Sequence, residues 1–236
     1  MYFWNDDNYN GLKEIGEKYA SDSQYEAFSR YCLSKEKGLK KEAKTAIEQF
    51  IVSNQSKSKM EQRNIIEELS ALSYRNKKVH QLIPHPLQQY MIAVLENWIE
   101  EEPDNAIPYR WSGFIKSDLQ SYKRAIEINS FDIISLIAII NFNLNYVDYQ
   151  THHLNESLFI GKLDEVNELL DEVNKLLCRI EQIDIKNYLL SEYYYYRKLL
   201  DSWKEYKAEK MDIGFSEWSE FRKENFRFHK AYYYNK

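Results

Sequence analysis

The residues best suited to chemistry in this chain are two adjacent histidines followed by a glutamate. His152, His153 and Glu156 form an H-H-x-x-E cluster, and His152 and Glu156 have the i,i+4 spacing that places two metal ligands on one helix face. The surrounding segment has the composition of a polar loop, and the sequence offers no evident third ligand. We therefore interpret the cluster as a solvated loop and predict no metal site.

Other catalytic signatures are missing from the sequence. His80 and His85 flank Pro84 in a predicted turn, and neither Cys32 nor Cys178 has a histidine nearby along the chain. The six glycines form no GxGxxG or GxxxxGK phosphate loop, and there is no G-x-S-x-G nucleophile turn. We therefore predict a protein that is not an enzyme and that uses no cofactor and no small-molecule substrate.

The elements that position any functional residue are predicted to be helices. Hydrophobic residues make up 44% of the chain and charged residues 29%, which is typical of a globular protein. Only six glycines and four prolines occur in 236 residues, whereas a sheet-rich fold needs turn residues roughly every 8–12 positions. The composition therefore predicts an all-α fold.

Charge, cysteine usage and hydropathy limit where the protein acts. The formal net charge of −5 argues against a generic nucleic-acid binder, and two cysteines inside helical patterns favour a reducing compartment over a disulfide framework. The first seven residues lack the basic and apolar regions of a signal peptide, and the apolar run 133–140 is too short to span a bilayer. We expect a cytoplasmic protein that does not contact a membrane.

Apolar residues recurring at steps of three and four predict a series of antiparallel helix pairs. The turn of the first pair is placed at Gly38, and the fourth pair opens at Asp132, a candidate N-cap, and continues through a polar insert at 146–161 to a helix over 163–180. Two long aromatic helices are predicted to close the chain. Their aromatic residues favour capping of the core, and docking onto a second chain is the alternative. The aromatic stripe of the last helix comprises Phe215, Trp218, Phe221, Phe228 and Tyr232.

The segment around Pro103 reads as the junction of two helical units. It runs Glu-Pro-Asp-Asn-Ala-Ile-Pro-Tyr-Arg-Trp-Ser-Gly from Glu102 to Gly113, and Ala125, Ile126 and Ile128 follow as the end of a second helix. This pattern resembles tetratricopeptide repeats, whose 34-residue unit is a helix pair. The residues that match the family pattern are Pro103 as closing proline, Ala106, Tyr109 and Gly113 in the next first helix, and Gly38, Glu42, Ala43, Ile47 and Phe50 in an earlier unit.

The resemblance covers about half of the chain and departs from the family at two places. Gly113 and Ala125 are 12 residues apart, against about 19 in the family repeat, and Ser130 occupies the position of the next closing proline. The resemblance implies an irregular, tetratricopeptide-like α-solenoid. We expect one helical-repeat domain over 1–236, with a subdivision into 1–101 and 102–236 as the alternative.

The same resemblance implies a binding groove. In this family the first helix of each pair lines the concave face of the array. When the family pattern is aligned at the Pro103 junction, the resemblance implies that four residues face this groove. They are Arg110 and Phe114, followed by Asn141 and Asn145 in the next unit.

An uneven charge distribution gives a second indication of a partner. Residues 164–184 carry seven carboxylates against Lys175 and Arg179, and Glu165, Glu168 and Glu172 share one face of the predicted helix. Such a face attracts a basic partner and accelerates its capture, although it is also compatible with an ordinary solvated helix.

Basic segments provide the competing interpretation. Residues 35–78 carry 11 basic and 6 acidic residues, and residues 221–236 combine basic with aromatic side chains. Basic and aromatic residues together can bind nucleic acid by tracking phosphates and stacking bases.

These observations favour a non-catalytic protein–protein interaction module. Its more specific form is a small bacterial cytoplasmic immunity protein that neutralises a basic protein. The alternatives are a repeat adaptor that binds a peptide and a nucleic-acid-binding regulator that uses the two basic segments.

Overall fold

The computed structural model describes residues 4–228, with only the backbone of Trp4. Within that range the chain forms eleven α-helices and one 3-10 turn, and it contains no β-strand, which confirms the all-α prediction. The helices are α1 (Trp4–Lys18), α2 (Glu26–Glu36), α3 (Lys40–Gln55), α4 (Lys59–Arg75), α5 (His85–Glu101), α6 (Ala106–Lys116), α7 (Leu119–Ile128), α8 (Ile133–Thr151), α9 (Leu163–Leu177), α10 (Ile183–Glu209) and α11 (Phe215–Phe221), and the 3-10 turn is Leu154–Glu156.

The helices belong to two compact units, residues 1–129 and residues 130–236. The first unit contains α1 to α7 and the second contains α8 to α11. The alternative subdivision between residues 101 and 102 falls inside the first unit. Helices α5 and α6, which flank this point, pack against each other, and Gln88 Nε2 donates to the Ile115 carbonyl at 2.9 Å. No helix among residues 4–228 combines the length and the apolarity needed to cross a bilayer.

Phe28 of α2 lies in the core of the first unit, where it is fully buried and where α2 packs against α1 and α3. Its ring centroid lies 5.4 Å from that of Phe50 and 6.3 Å from that of Tyr19. Gly38 forms the turn between α2 and α3 with a φ of 73°, in the left-handed region that favours glycine. This confirms the turn that the sequence predicted at Gly38.

One carboxylate joins this core to α4. The Tyr19 hydroxyl donates to Glu68 Oε1 at 2.8 Å, and the Tyr25 hydroxyl donates to Glu68 Oε2 at 2.5 Å. Both tyrosines are buried, while Glu68 is half-buried. Burial, reinforced by the hydrogen bond to Glu68, raises the pKa of Tyr19 to about 12 and also raises the pKa of Tyr25.

Five buried tyrosines predict a loss of stability at high pH. Burial is the main cause that raises the pKa of Tyr19 and Tyr90 to about 12, and it also raises the pKa of Tyr25, Tyr31 and Tyr196. Because the folded protein keeps phenolic protons that the unfolded chain releases near pH 10, we expect the free energy of unfolding to fall as the pH rises from about 10 to 12. Urea unfolding at stepped pH, with tyrosinate absorbance, measures both effects. Titration of every tyrosine in one step near pH 10 would contradict the prediction.

The acidic run that ends α5 has a structural partner in α4. The Arg63 guanidinium forms ion pairs with Glu101 Oε2 at 2.6 Å and Glu102 Oε1 at 2.5 Å, and it lies 5.2 Å from the centroid of the Trp98 ring. Trp98 Nε1 in turn donates to Glu102 Oε2 at 2.9 Å. These carboxylates therefore tie the end of α5 to α4, just before the turn at Pro103.

Helices α6 and α7 form the helix pair that the sequence pattern predicted behind Pro103. Asn105 caps α6 by accepting from the Ile107 amide at 3.0 Å, and Asp118 caps α7 by accepting from the Gln120 amide at 3.1 Å. A Cβ atom on Gly113 would lie 2.8 Å from the Tyr122 ring, so glycine permits the close approach of the two helices. The irregular, tetratricopeptide-like array of such pairs stays a prediction.

The second unit opens with a helix that is longer than expected. Asp132 caps α8 by accepting from the Ser135 amide at 3.1 Å, as predicted, and the apolar run 133–140 is helical. The form of the polar insert at 146–161 was left open by the sequence, and its first third is helical because α8 continues to Thr151. Val147 and Thr151 are buried within the unit, and they keep this last part of α8 against the core. Helix α9 ends at Leu177 rather than at 180.

The prediction of two long aromatic helices at the C-terminus is half wrong. Helix α10 has 27 residues, but α11 has only seven and ends at Phe221. Steps of three residues drift by about 60° around a helix, so Phe221 rotates away from the face that buries Phe215 and Trp218. Lys223 then adopts a left-handed φ of 59°, and Phe228 packs on Phe215 from outside any helix. Tyr232 lies outside the described residues.

Candidate protein-binding surface

The exposed side of α8 is a stripe of aromatic and amide side chains. Helical spacing places Asn141, Phe142, Asn145, Tyr146 and Tyr149 on the same side of the helix, and all five are exposed, with Tyr149 at 58%. The opposite side of α8 is buried within the second unit. Large apolar rings normally occupy that buried side, so this stripe requires an explanation other than core packing.

The stripe carries no charge, whereas its surroundings are acidic. The only charged residue of α8 is Asp148. Its carboxylate accepts a hydrogen bond from the Tyr196 hydroxyl, at 2.8 Å from Oδ1. Residues 131–178 contain eight carboxylates but only two cations, Lys162 and Lys175. Arg197 of α10 compensates Asp171, so the excess of negative charge comes from the remaining carboxylates, and this excess attracts a cationic partner.

Helix α9 lies antiparallel to α8 and brings its acidic residues close to the stripe. Asn143 Nδ2 donates to Glu172 Oε2 at 3.1 Å, and nearer the connecting loop Lys162 Nζ forms an ion pair with Glu165 Oε1 at 2.8 Å. The hydrogen bond and charge of Glu165 raise the pKa of Lys162, and the nearby Tyr146 phenol contributes in the same direction. Tyr146 therefore lies near the ion pair that Lys162 forms with Glu165.

The three glutamates predicted on one face of α9 differ in their surroundings. Glu165 is exposed and paired with Lys162, while Glu172 is half-buried and hydrogen-bonded to Asn143. Glu168 is exposed and has no ion-pair partner within residues 4–228. Glu168 therefore carries the charge most readily available to a partner. We define the α8–α9 face as Asn141, Phe142, Asn145, Tyr146 and Tyr149 together with Glu165 and Glu168.

The two remaining predicted site residues lie in the first unit. The Arg110 guanidinium is 5.4 Å from the Trp111 ring centroid and borders an open hollow of about 680 Å³ beside Pro103. The Phe114 ring packs edge-on against Tyr74 at 5.6 Å and borders a hollow of about 330 Å³. Both side chains are half-buried, so each combines an internal contact with limited exposure.

The histidine cluster lies in the turn that follows α8. The His152 and His153 ring centroids are 4.0 Å apart, and His153 Nδ1 lies 3.4 Å from Glu156 Oε1. Across residues 4–228, no group of three or more histidine, cysteine, aspartate or glutamate side chains is arranged to hold a metal ion. The cluster therefore adds a polar border to the end of α8 near Tyr149.

Comparison with known proteins yields no match to a family model, to a curated protein or to a solved structure. The arguments about function therefore depend on the physical chemistry of the surfaces.

Sequence reasoning missed the aromatic members of the α8–α9 face. Phe142 lies within the helix that the sequence predicted, whereas Tyr146 and Tyr149 continue the helical steps of four and three residues beyond the point where that helix was expected to end. Extending the helical pattern through 151 would have placed all three on one side of α8. The sequence also predicted the amides Asn141 and Asn145 from the repeat resemblance, and both are exposed.

Proposed function

We propose that this chain is a non-catalytic protein-binding module that captures a basic protein through the α8–α9 face. The observation that supports the proposal is the uncharged aromatic stripe of α8 beside the acidic helix α9. Tyrosine and phenylalanine provide large contact areas at small entropic cost, and asparagine adds adaptable hydrogen bonds, a combination typical of binding surfaces. Glu168 supplies the most readily available charge that steers a cationic protein toward the stripe, since Glu165 is paired with Lys162.

The specific form of this proposal is a small cytoplasmic immunity protein that neutralises a basic toxin in a bacterium. Its support is compositional. The chain is short, lacks catalytic motifs, and is rich in tyrosine, asparagine, lysine and isoleucine, as expected for an AT-rich genome. A neutralising protein needs tight one-to-one binding with fast association, which the charge around the α8–α9 face favours.

The test is capture of the partner from native lysate, followed by affinity measurement on the purified pair. We expect Tyr146→Ala/Tyr149→Ala to weaken the complex by about tenfold or more, because aromatic anchors dominate binding energy. We expect Glu168→Lys mainly to slow association and to reduce its dependence on salt. The matched control is Tyr188→Ala/Tyr194→Ala on α10, which removes two tyrosines that are 65% and 62% exposed.

If Tyr188→Ala/Tyr194→Ala weakened the complex equally, the loss of affinity would follow from removing any exposed tyrosines and would not locate the binding site on the α8–α9 face. An acidic partner, or association that is insensitive to both salt and Glu168→Lys, would contradict the charge argument. Circular dichroism of each variant distinguishes lost binding from lost folding.

A peptide-binding adaptor is the second candidate, and one observation favours it. Phe114 borders the hollow of about 330 Å³ in the first unit together with polar side chains that include Asn76, Lys77 and Gln88. If the captured partner binds there, Lys77→Ala will weaken the complex and Tyr146→Ala/Tyr149→Ala will not. The same set of variants therefore separates the two candidates.

Internal ion pairs reduce the support for nucleic-acid binding. In the segment 221–236, Arg222 pairs with Glu205 and Glu209, and Arg227 pairs with Glu192, while residues 229–236 lie outside the described range. In the segment 35–78, the paired cations are Lys44, Lys59, Arg63 and Lys78. Cations that are already paired release fewer counterions on binding a polyanion.

A further inference from the structure

We propose that a pocket between the end of α10 and α11 binds a basic peptide by an apolar anchor side chain. The pocket has a volume of about 550 Å³ and is here called the α10–α11 pocket. It lies wholly within the second unit. Its lining residues are Glu209, Met211, Ile213, Glu217, Trp218, Phe221 and Arg222.

The apolar lining is exposed to an extent that the internal aromatic cluster does not require. Phe221 is 87% exposed and Met211 is 49% exposed, and Ile213 is half-buried. The neighbouring Phe215 has its ring inside the cluster, where it contacts Trp203 at 5.2 Å. The outward orientation of Phe221 therefore supplies contact area to the pocket rather than to the core.

The charge of the rim determines which peptide fits. Arg222 is the only cation of the lining, and it is already shared between Glu205 Oε2 at 2.7 Å and Glu209 Oε1 at 3.2 Å. Its guanidinium also lies 4.6 Å from the Trp218 ring centroid. Glu217, by contrast, has no ion-pair partner among the described residues of the chain.

An apolar floor with an uncompensated carboxylate at its edge favours an apolar side chain flanked by lysine or arginine. A floor of aromatic, thioether and aliphatic groups accepts leucine or phenylalanine, because burial removes apolar surface from water on both sides. Glu217 favours a cation beside that anchor and disfavours a carboxylate. The pocket thus selects basic, apolar peptides over acidic ones.

The α10–α11 pocket shares no residue with the α8–α9 face, so its test is independent of the proposed function. The probe is the acetylated and amidated peptide Lys-Lys-Leu-Phe-Lys-Lys with a fluorescent label, titrated with the full chain by anisotropy. The two comparison peptides are Lys-Lys-Gly-Ser-Lys-Lys, which lacks the anchor, and Glu-Glu-Leu-Phe-Glu-Glu, which reverses the charge.

We expect saturable binding of the first peptide and at least tenfold weaker binding of both comparison peptides. Phe221→Ser should weaken binding about tenfold, since the anchor loses its aromatic contact, and Glu217→Lys should weaken it most at low salt. Both side chains lie at the surface, so each variant should retain the wild-type circular dichroism spectrum. Tyr194→Ser is the matched control, and it should bind the peptide like the unmodified chain.

Four results would overturn the proposal. Binding of Lys-Lys-Gly-Ser-Lys-Lys as tight as that of the first peptide would show that only nonspecific charge attraction holds the peptide. Equally tight binding of Glu-Glu-Leu-Phe-Glu-Glu would show that Glu217 does not select for cations. Self-association of the chain that Phe221→Ser abolishes would assign the pocket to a second copy instead. Loss of peptide binding in Tyr146→Ala/Tyr149→Ala with unchanged Phe221→Ser would place the peptide on the α8–α9 face.

Discussion

Replacement of Glu68 by alanine is expected to lower the free energy of unfolding of the first unit by about 3–5 kcal/mol. Tyr19 and Tyr25 both donate to this carboxylate, at 2.8 Å and 2.5 Å, and both are buried. A hydrogen bond to a charged group contributes about 1.5–3 kcal/mol, and its removal leaves a buried hydroxyl without an acceptor. Alanine removes two such bonds at once.

The measurement is urea unfolding by circular dichroism, combined with hydrogen exchange to localise the change. We expect exchange protection to fall in α1, α2 and α4. Glu67→Ala is the matched control, because Glu67 is the neighbouring half-buried glutamate without a hydrogen-bond or ion-pair partner within residues 4–228. Its expected cost is below about 1 kcal/mol. Equal destabilisation by Glu67→Ala and Glu68→Ala would contradict the role of the two tyrosines.

A double-mutant cycle adds a stricter test. Tyr25→Phe alone should cost about 1.5–3 kcal/mol, because it removes one charge-assisted hydrogen bond. In the Glu68→Ala background the same replacement should cost much less, since its acceptor is already gone. Simple additivity of the two changes would show that Tyr25 is stabilised by packing rather than by Glu68.

Replacement of Phe215 by alanine is expected to lower the free energy of unfolding of the second unit by about 3–5 kcal/mol. Phe215 is fully buried, and its ring centroid lies 5.2 Å from Trp203, 5.4 Å from Tyr206 and 5.8 Å from Trp218. A cavity at this position removes contacts from all three neighbours. Because α11 has only seven residues, tertiary packing rather than helix propensity must hold it in place.

Phe221→Ala is the matched control for Phe215→Ala, since it removes the same ring from the same helix. Phe221 is 87% exposed, so its replacement should change the free energy of unfolding by no more than about 0.5 kcal/mol. Tryptophan fluorescence during urea unfolding follows both variants, because Trp203 and Trp218 lie beside Phe215. A large cost for Phe221→Ala would instead support the continuous aromatic stripe that the sequence predicted.

The candidate binding residues were predictable to a different degree in each helix. Glu165 and Glu168 follow from charge counting on a helix whose start the sequence places correctly, because exposed charges need no knowledge of neighbours. Tyr146 and Tyr149 were missed because the end of α8 depends on burial of Val147 and Thr151 against the rest of the unit. Their binding role stays a proposal.

The sequence by itself determined the helical class, the turn at Gly38 and the cap at Asp132. Each is a local property, since helical periodicity, glycine's access to positive φ and the reach of a carboxylate to a nearby amide involve only neighbouring residues. Only the tertiary structure decided that Phe215 is buried while Phe221 is exposed. The same residue type occurs twice in one short helix, and which side of that helix meets α10 depends on distant parts of the chain. For the same reason, the pairing of Glu68 with Tyr19 and Tyr25 across more than 40 residues leaves no local pattern from which to predict it.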